Sequence, residues 1–196
     1  MCVILIGKAK DIRKIDLGSA WVSNPHGSGI AYPRTNGKGV EVIKGIMDLE
    51  SLKGALREIH GEIKIAVHLR YATHGSIVPS NTHPFKIGRS GSVLMHNGVL
   101  SAFGKSGDRG VSDSMDLARV LGEIKDPADR RKVLASLGGM FCEISPKGIH
   151  TFGSRSWVKI RGGVIGSNDN FIPRAPVLPI QGGSRWVERS AYTWGE

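Results

Sequence analysis

The sequence opens Met1-Cys2-Val3-Ile4-Leu5-Ile6-Gly7, and from Cys2 to Ile6 apolar residues follow one another without polar alternation. Such a run is the pattern of a buried strand, because alternation is lost once both faces of a strand are covered. A fold that starts here has to place other elements over this strand, and the periodicity downstream indicates which ones.

Ile30–Tyr32 and Val40–Ile43 flank Asn36-Gly37-Lys38-Gly39, a strong turn signal that predicts a β-hairpin. Asp48 is placed to cap a helix over Leu49–His60, in which Leu49, Leu52, Leu56 and Ile59 recur at helical spacing and would face a sheet. Ile63–Arg70 reads as the next strand, followed by a polar stretch through Phe85 with little periodicity. Ser92–His96 returns to strand and Asn97-Gly98 ends it in a turn. A helix starting at Ser112 or Asp113 would use Leu117, Val120 and Leu121, and Pro127 suits the first turn of another. Gly139–Ile144 and Ile149–Phe152 then form a second hairpin. From Asn168 the chain, with Pro173, Pro176 and Pro179, reads as an irregular arm. Strands, helix, strands, two helices and strands in this order favour an α+β arrangement over a parallel βαβ fold.

The length of 196 residues predicts one domain spanning 1–196, with 168–196 as its arm. Apolar runs are too short to cross a bilayer, and no charged segment precedes a signal-like stretch, so a soluble cytoplasmic protein is expected. Cys2 and Cys142 are too few for a disulfide framework, which fits a reducing compartment; Cys142 reads as a buried strand residue. The net charge of +10 permits attraction to nucleic acid, yet the densest basic group (Lys8, Lys10, Arg13, Lys14) has no aromatic platform or recognition motif, so nucleic acid is not a favoured partner. His68, His74, His83 and His96 fall close together, but none forms the spaced histidine pair with adjacent glutamate of a zinc helix, so no metal or other cofactor is expected.

Four segments remain to be explained together with Cys2. They are Asn24-Pro25-His26-Gly27-Ser28-Gly29-Ile30-Ala31-Tyr32, His68-Leu69-Arg70-Tyr71-Ala72-Thr73-His74-Gly75, Asn81-Thr82-His83-Pro84-Phe85 and Leu94-Met95-His96-Asn97-Gly98-Val99-Leu100. In this order, behind a cysteine at position 2, they resemble the class II glutamine amidotransferases, a family of N-terminal-nucleophile hydrolases, over Cys2 to about Val120. The resemblance implies a four-layer αββα sandwich with two antiparallel sheets. It also implies Cys2 as nucleophile, Asn97 and Gly98 as the oxyanion hole, Arg70 and Asp113 as partners of the glutamine α-carboxylate and α-ammonium, and Thr73 and His74 lining the same pocket. His68, His83 and His96 become recurring parts of the pattern, expected to act by structural hydrogen bonding.

Chemistry gives the pattern its reason. A thiol attacks only as thiolate, and with Met1 removed Cys2 would carry its own base, an α-amine with a pKa of roughly 8. Removal is favoured by the small size of residue 2. Asn97-Gly98 can offer a side-chain amide and a backbone N–H to a developing oxyanion, although read locally it is also a hairpin turn. Arg70 can bind a carboxylate bidentately, and Asp113 can receive an ammonium or cap a helix; the two roles can coexist.

The sequence departs from the pattern in two places. Asn24-Pro25-His26-Gly27 is similar to the γ-glutamyl hydrolase-like branch, in which an acidic residue usually stands where His26 does, and Ser101-Ala102 stands where relatives often carry an asparagine. About 70 residues follow the last matched motif, few for an acceptor-binding domain. The expected function is therefore a stand-alone glutaminase passing ammonia to a separate synthetase. The alternatives are a γ-glutamyl amide hydrolase and a catalytically silent basic binding module.

Overall fold

The opening run becomes β1 (Val3–Lys8), an inner strand of a six-stranded sheet. On one edge it pairs antiparallel with β4 (Lys64–Leu69), from Val3 opposite Leu69 to Lys8 opposite Lys64, and on the other with β10 (Ile165–Gly166). The sheet continues outward from β4 through β2 (Ser28–Pro33) and β3 (Val40–Ile46), and from β10 to β9 (Val158–Lys159). A second antiparallel sheet has the order β5 (Phe85–Lys86), β6 (Val93–Asn97), β7 (Met140–Ser145), β8 (Gly148–Gly153). The computed structural model describes residues 1–103, 110–153 and 155–173.

Three apolar clusters account for the layering. Val3 and Leu5 of β1 join Ile65, Val67 and Leu69 of β4 in a cluster closed by α1 (Ala9–Ile12), α2 (Leu17–Ser23) and α3 (Leu49–Glu58). Ile4 and Ile6 point the other way and meet Met95, Cys142 and Ile144 of the second sheet. The far face of that sheet, with Leu94 and Phe141, is covered by Leu117 and Leu121 of α4 (Asp113–Glu123) and Leu134 of α5 (Pro127–Ser136). The result is helix, sheet, sheet, helix, the expected α+β sandwich. Because β1 is buried on both faces, its residues alternate between two cores, and its sequence shows no polar alternation.

Local signals explain most boundaries. Asp48 caps α3 by accepting from the Ser51 N–H at 2.8 Å, and Leu52 and Leu56 are fully buried. Pro127 opens α5, whose cap is Asp126. For α4 the cap is Ser112, which accepts from the Met115 N–H at 3.2 Å; Asp113 is thus the first helical residue, not the cap. Val120 lies in α4 as expected and is 52% exposed, because the buried stripe runs through Ser114, Leu117, Ala118 and Leu121. Asn97 is the last strand residue of β6, paired with Met140, so the expected turn begins only at Gly98.

Two further regions complete the fold. The basic segment runs from the end of β1 through and past α1; along it Lys8 and Lys10 both pair with Glu62, Arg13 donates to the Ala9 and Ile59 carbonyls, and Lys14 approaches Asp11 at 3.9 Å. The Lys8, Lys10 and Lys14 side chains remain 51%, 47% and 67% exposed, so the group is a solvated basic face. The arm expected from Asn168 begins inside the core: Phe171 is buried against the helix-side cluster and Ile172 packs beside it. Residues 174–196, with Pro176 and Pro179, lie outside the described residues. Among the described residues no helix is long and apolar enough to cross a membrane.

Phe141 is fully buried between β7 and α4–α5, stacked on His96 with ring centroids 4.6 Å apart. Phe141→Ala is expected to lower the unfolding free energy by about 3–5 kcal/mol. Val120→Ala, on the exposed face of α4, should change it by less than about 0.5 kcal/mol. Urea unfolding of both variants checks the assignment of core and surface.

Candidate active site

Cys2 directly precedes β1 and shares the inward parity of Ile4 and Ile6, so its side chain lies at the end of the inter-sheet layer. Pairing of Val3 with Leu69 brings the chain after β4 alongside it. The Tyr71 N–H donates to Cys2 Sγ at 3.2 Å, and the thiol faces the Tyr71 carbonyl at 3.4 Å. Burial pushes the thiol above its ordinary pKa; the Tyr71 contact, the N-terminal charge and the Arg70 guanidinium pull the other way without overcoming it. The thiol is therefore held protonated near neutral pH, and its use as a nucleophile requires a base at Sγ.

Arg70 is buried, and its guanidinium donates to the carbonyls of His74 at 2.8 Å and Ser76 at 3.0 Å. Burial lowers its pKa, while Cys2 and Asp113 lie close enough to favour its charge, which places the three groups within one electrostatic neighbourhood. The Gly75 carbonyl also accepts, at 3.4 Å; five donors sit on a guanidinium, so three loop carbonyls still leave donors over for a carboxylate. Asn81 supports the same loop, donating to the carbonyls of Ser76 at 3.0 Å and Gly110 at 2.6 Å. Thr73 and His74 are exposed on it, with His74 Nδ1 3.4 Å from Thr73 Oγ1.

His26 has a defined place. Its Nδ1 accepts the Ala72 N–H at 2.8 Å, and its ring tilts against Tyr71 at 5.2 Å, so it steadies the residue whose N–H meets the thiol. The ring nitrogen accepts a backbone proton here as a carboxylate oxygen could. On the opposite strand, a Cβ at Gly29 would fall 2.0 Å from the His83 carbonyl oxygen, so only glycine lets that segment approach.

From the second sheet come Asn97, buried, and Gly98, where a Cβ would lie 2.7 Å from His96 Nε2 at a φ of +155°. Asn97 Nδ2 donates to Ser167 Oγ at 2.9 Å. Asp113 Oδ2 accepts the Leu100 N–H at 2.9 Å, tying the segment after Gly98 to α4, while Oδ1 accepts the Ser114 N–H and hydroxyl at 2.7 and 3.1 Å. Behind Cys2, Asn168 donates to the Cys2 carbonyl at 2.7 Å. Sequence reasoning assigned no role at the site to Ser167, Asn168 or Tyr71, since each acts there through a long-range contact.

His68 lies between the sheets with His83 stacked on it, while His96, which shares the parity of Leu94, faces α4 on the far side of the second sheet. His68 donates through Nε2 to the His96 carbonyl at 3.0 Å, a direct tie from one sheet to the other. The Ser114 hydroxyl proton is committed to Asp113, so His96 Nδ1 donates to Ser114 Oγ at 2.9 Å. His83 was expected to hydrogen-bond, but neither ring nitrogen has a partner among the described residues; it stacks on His68 at 3.9 Å and meets Phe85 edge-on at 4.6 Å. Among the described residues no cluster of histidine, cysteine or carboxylate side chains could hold a metal ion.

Two antiparallel sheets stacked between helical layers, with strand ends converging on a cysteine, define a fold of the N-terminal-nucleophile hydrolase type. Residues 16–152 match the family model of class II glutamine amidotransferases, and the chain belongs to that family. Cys2, Ser167 and Asn168 lie outside the matched span. Among solved structures it is similar to the glutamine phosphoribosylpyrophosphate amidotransferase from B. subtilis, with a TM-score of 0.58 and 21% identity over 85% of this chain and 42% of that one. The chain thus spans about two fifths of that structure's length. No curated protein matches the sequence.

Burial lowers the pKa of His68 to about 3 and of His96 to about 4, and holds His83 well below the ordinary value. Unfolded, each would titrate near about 6.5, so below that pH the unfolded chain takes up protons that the folded chain does not. Stability contributed by the neutral imidazoles is full above about pH 6.5 and falls as pH drops toward 4 and then 3, by up to about 1.4 kcal/mol per pH unit for each histidine. Urea midpoints should therefore fall from pH 7.5 to 5, and more shallowly in His83→Phe, which keeps a stacked ring and removes one titrating group.

Proposed function

We propose that the protein hydrolyses the side-chain amide of glutamine through a γ-glutamyl thioester on Cys2. The observation that carries the reading is the position of the Cys2 thiol, held against the Tyr71 N–H beside Arg70 and Asp113 in a class II glutamine amidotransferase. With Met1 removed, the free α-amine of Cys2 takes the thiol proton, and Sγ bonds to the amide carbon. Negative charge then develops on oxygen, where the Asn97 side-chain amide and the Gly98 N–H serve as donors. The protonated amine returns the proton to the departing nitrogen, the C–N bond breaks and ammonia leaves. Water attacks the thioester, with the amine again accepting a proton, and glutamate and the free thiol are regenerated.

In this reading Arg70 takes the substrate α-carboxylate and Asp113 the α-ammonium, with Thr73 and His74 over the pocket. Asp113 Oδ2 accepts one N–H and retains acceptor capacity. Arg70 does double service, since the loop it holds through the His74 and Ser76 carbonyls carries the residues that would face the substrate. Ammonia then passes to a synthetase on a separate chain.

A larger γ-glutamyl amide is the second reading, favoured by the exposure of Thr73 and His74, which leaves that side of the site open. Comparing kcat/KM for glutamine and γ-glutamyl amides decides between them: preference for glutamine overturns the second, preference for the larger amide overturns the first.

A glutamine-analogue electrophile should label Cys2 in the protein lacking Met1, and Cys2→Ala should abolish both labelling and turnover. Labelling at Cys142, fully buried with its thiol pushed up by burial, would contradict the assignment. Asn97→Ala is expected to lower kcat by about 10²–10³. Arg70→Lys keeps the charge but loses the fork, and should raise KM for glutamine about 30-fold. Steady-state ammonia release measures both.

A further inference from the structure

Where β10 ends, the ladder on β1 is completed by a side chain. The Ser167 N–H donates to the Ile4 carbonyl at 2.9 Å, as a strand residue would, but the Ile4 N–H is received by the Ser167 hydroxyl oxygen, also at 2.9 Å, in place of a backbone carbonyl. The same oxygen accepts Asn97 Nδ2 at 2.9 Å, from the last residue of β6 in the other sheet. One buried hydroxyl thus joins the strand that carries Cys2 to the residue read as the oxyanion donor. A serine oxygen has two acceptor sites, and both are filled.

The consequence for Asn97 is geometric. Its amide has two N–H bonds on Nδ2, and Ser167 takes one of them. The planar amide is thereby oriented, and the second N–H is left to donate elsewhere, while Oδ1 is buried with no partner among the described residues. Without an anchor at Nδ2, rotation about the terminal torsion, which is broad for asparagine, would move the donor away from one fixed direction. The neighbouring Asn168 holds the Cys2 carbonyl at 2.7 Å, so successive residues fix the donor and the backbone of the nucleophile relative to each other.

We infer that Ser167 is a positioning residue, which aims the Asn97 amide at the oxyanion by anchoring it to the Cys2 strand through Ile4. The inference rests on the reading of Asn97 as oxyanion donor given above. Because charge on the carbonyl oxygen develops only in the transition state, loss of the anchor lowers kcat and leaves KM nearly unchanged. Misaiming a donor by about an ångström is enough for a loss of about 10- to 100-fold.

The test is a double-mutant cycle on ammonia release from glutamine by the protein lacking Met1. Ser167→Ala should lower kcat by about 10- to 100-fold with KM within about twofold, and Ser167→Thr, which restores a hydroxyl, should recover most of it. In an Asn97→Ala background, Ser167→Ala should have no further effect, since its target is gone. Unchanged kcat in Ser167→Ala, or an equal loss in both backgrounds, overturns the inference. Should Ser167→Ala not fold, Ser167→Cys, of similar volume and weaker acceptor strength, carries the same comparison. A wild-type protein that neither turns over glutamine nor is labelled at Cys2 would instead sink the functional reading, so the two failures are told apart.

Discussion

Pairing of β1 on both of its edges is the constraint on which the site depends. A strand end paired on one edge frays, and a nucleophile attached to it would wander. Here β4 holds one edge from Val3 onward, while β10 and the Ser167 side chain hold the other up to Ile4. Ile4 and Ile6 lock the same strand into the inter-sheet cluster, and Val3 and Leu5 into the helix-side one. Cys2 inherits this rigidity one residue beyond Val3. Its partner Tyr71 inherits it from β4, so the S···H–N contact follows from strand register.

Burial sets the chemistry around that point. It raises the thiol, lowers Arg70 and strips His68, His83 and His96 of charge across the physiological range. Neutral imidazoles can serve as fixed donors and stacked rings where charged ones would repel Arg70. A dry wall also strengthens each remaining electrostatic contact, so the few donors aimed at the substrate count for more than they would in water. The cost is a resting thiol that cannot ionise unaided, which explains why a base within bonding reach of Sγ is required.

Legibility in the sequence followed the range of the interaction responsible. β1, α3, α5 and the β7–β8 hairpin were readable because apolar periodicity, caps and turn residues act over a few positions. The short helices α1 and α2 and the two-residue strands β9 and β10 were not, since elements that brief carry no period. Which apolar residues of α4 face the core was not readable, because Val120 and Leu121 adjoin and only the neighbouring sheet selects between them. At the candidate site, Cys2, Arg70, Asn97 and Gly98 stood out through ordered motifs, and Asp113 through the family resemblance those motifs carry. Ser167 and Asn168 did not, because they act on Ile4 and Cys2 across 163 and 166 residues of chain.

By itself, the sequence determined the residue types: an apolar strand behind Met1-Cys2, an arginine and an asparagine of suitable chemistry, and an α+β order of strands and helices. Tertiary structure alone decided which atoms those groups meet. It spent part of Arg70 on its own loop, made Ser112 rather than Asp113 the cap, left the His83 ring nitrogens without a partner among the described residues, and set Ser167 between Ile4 and Asn97 and Asn168 against the Cys2 carbonyl, just where an irregular arm was expected to begin. The physical reason is that hydrogen bonds are directional and short-ranged. Their partners are chosen only after packing has brought distant strands within about 3 Å of one another.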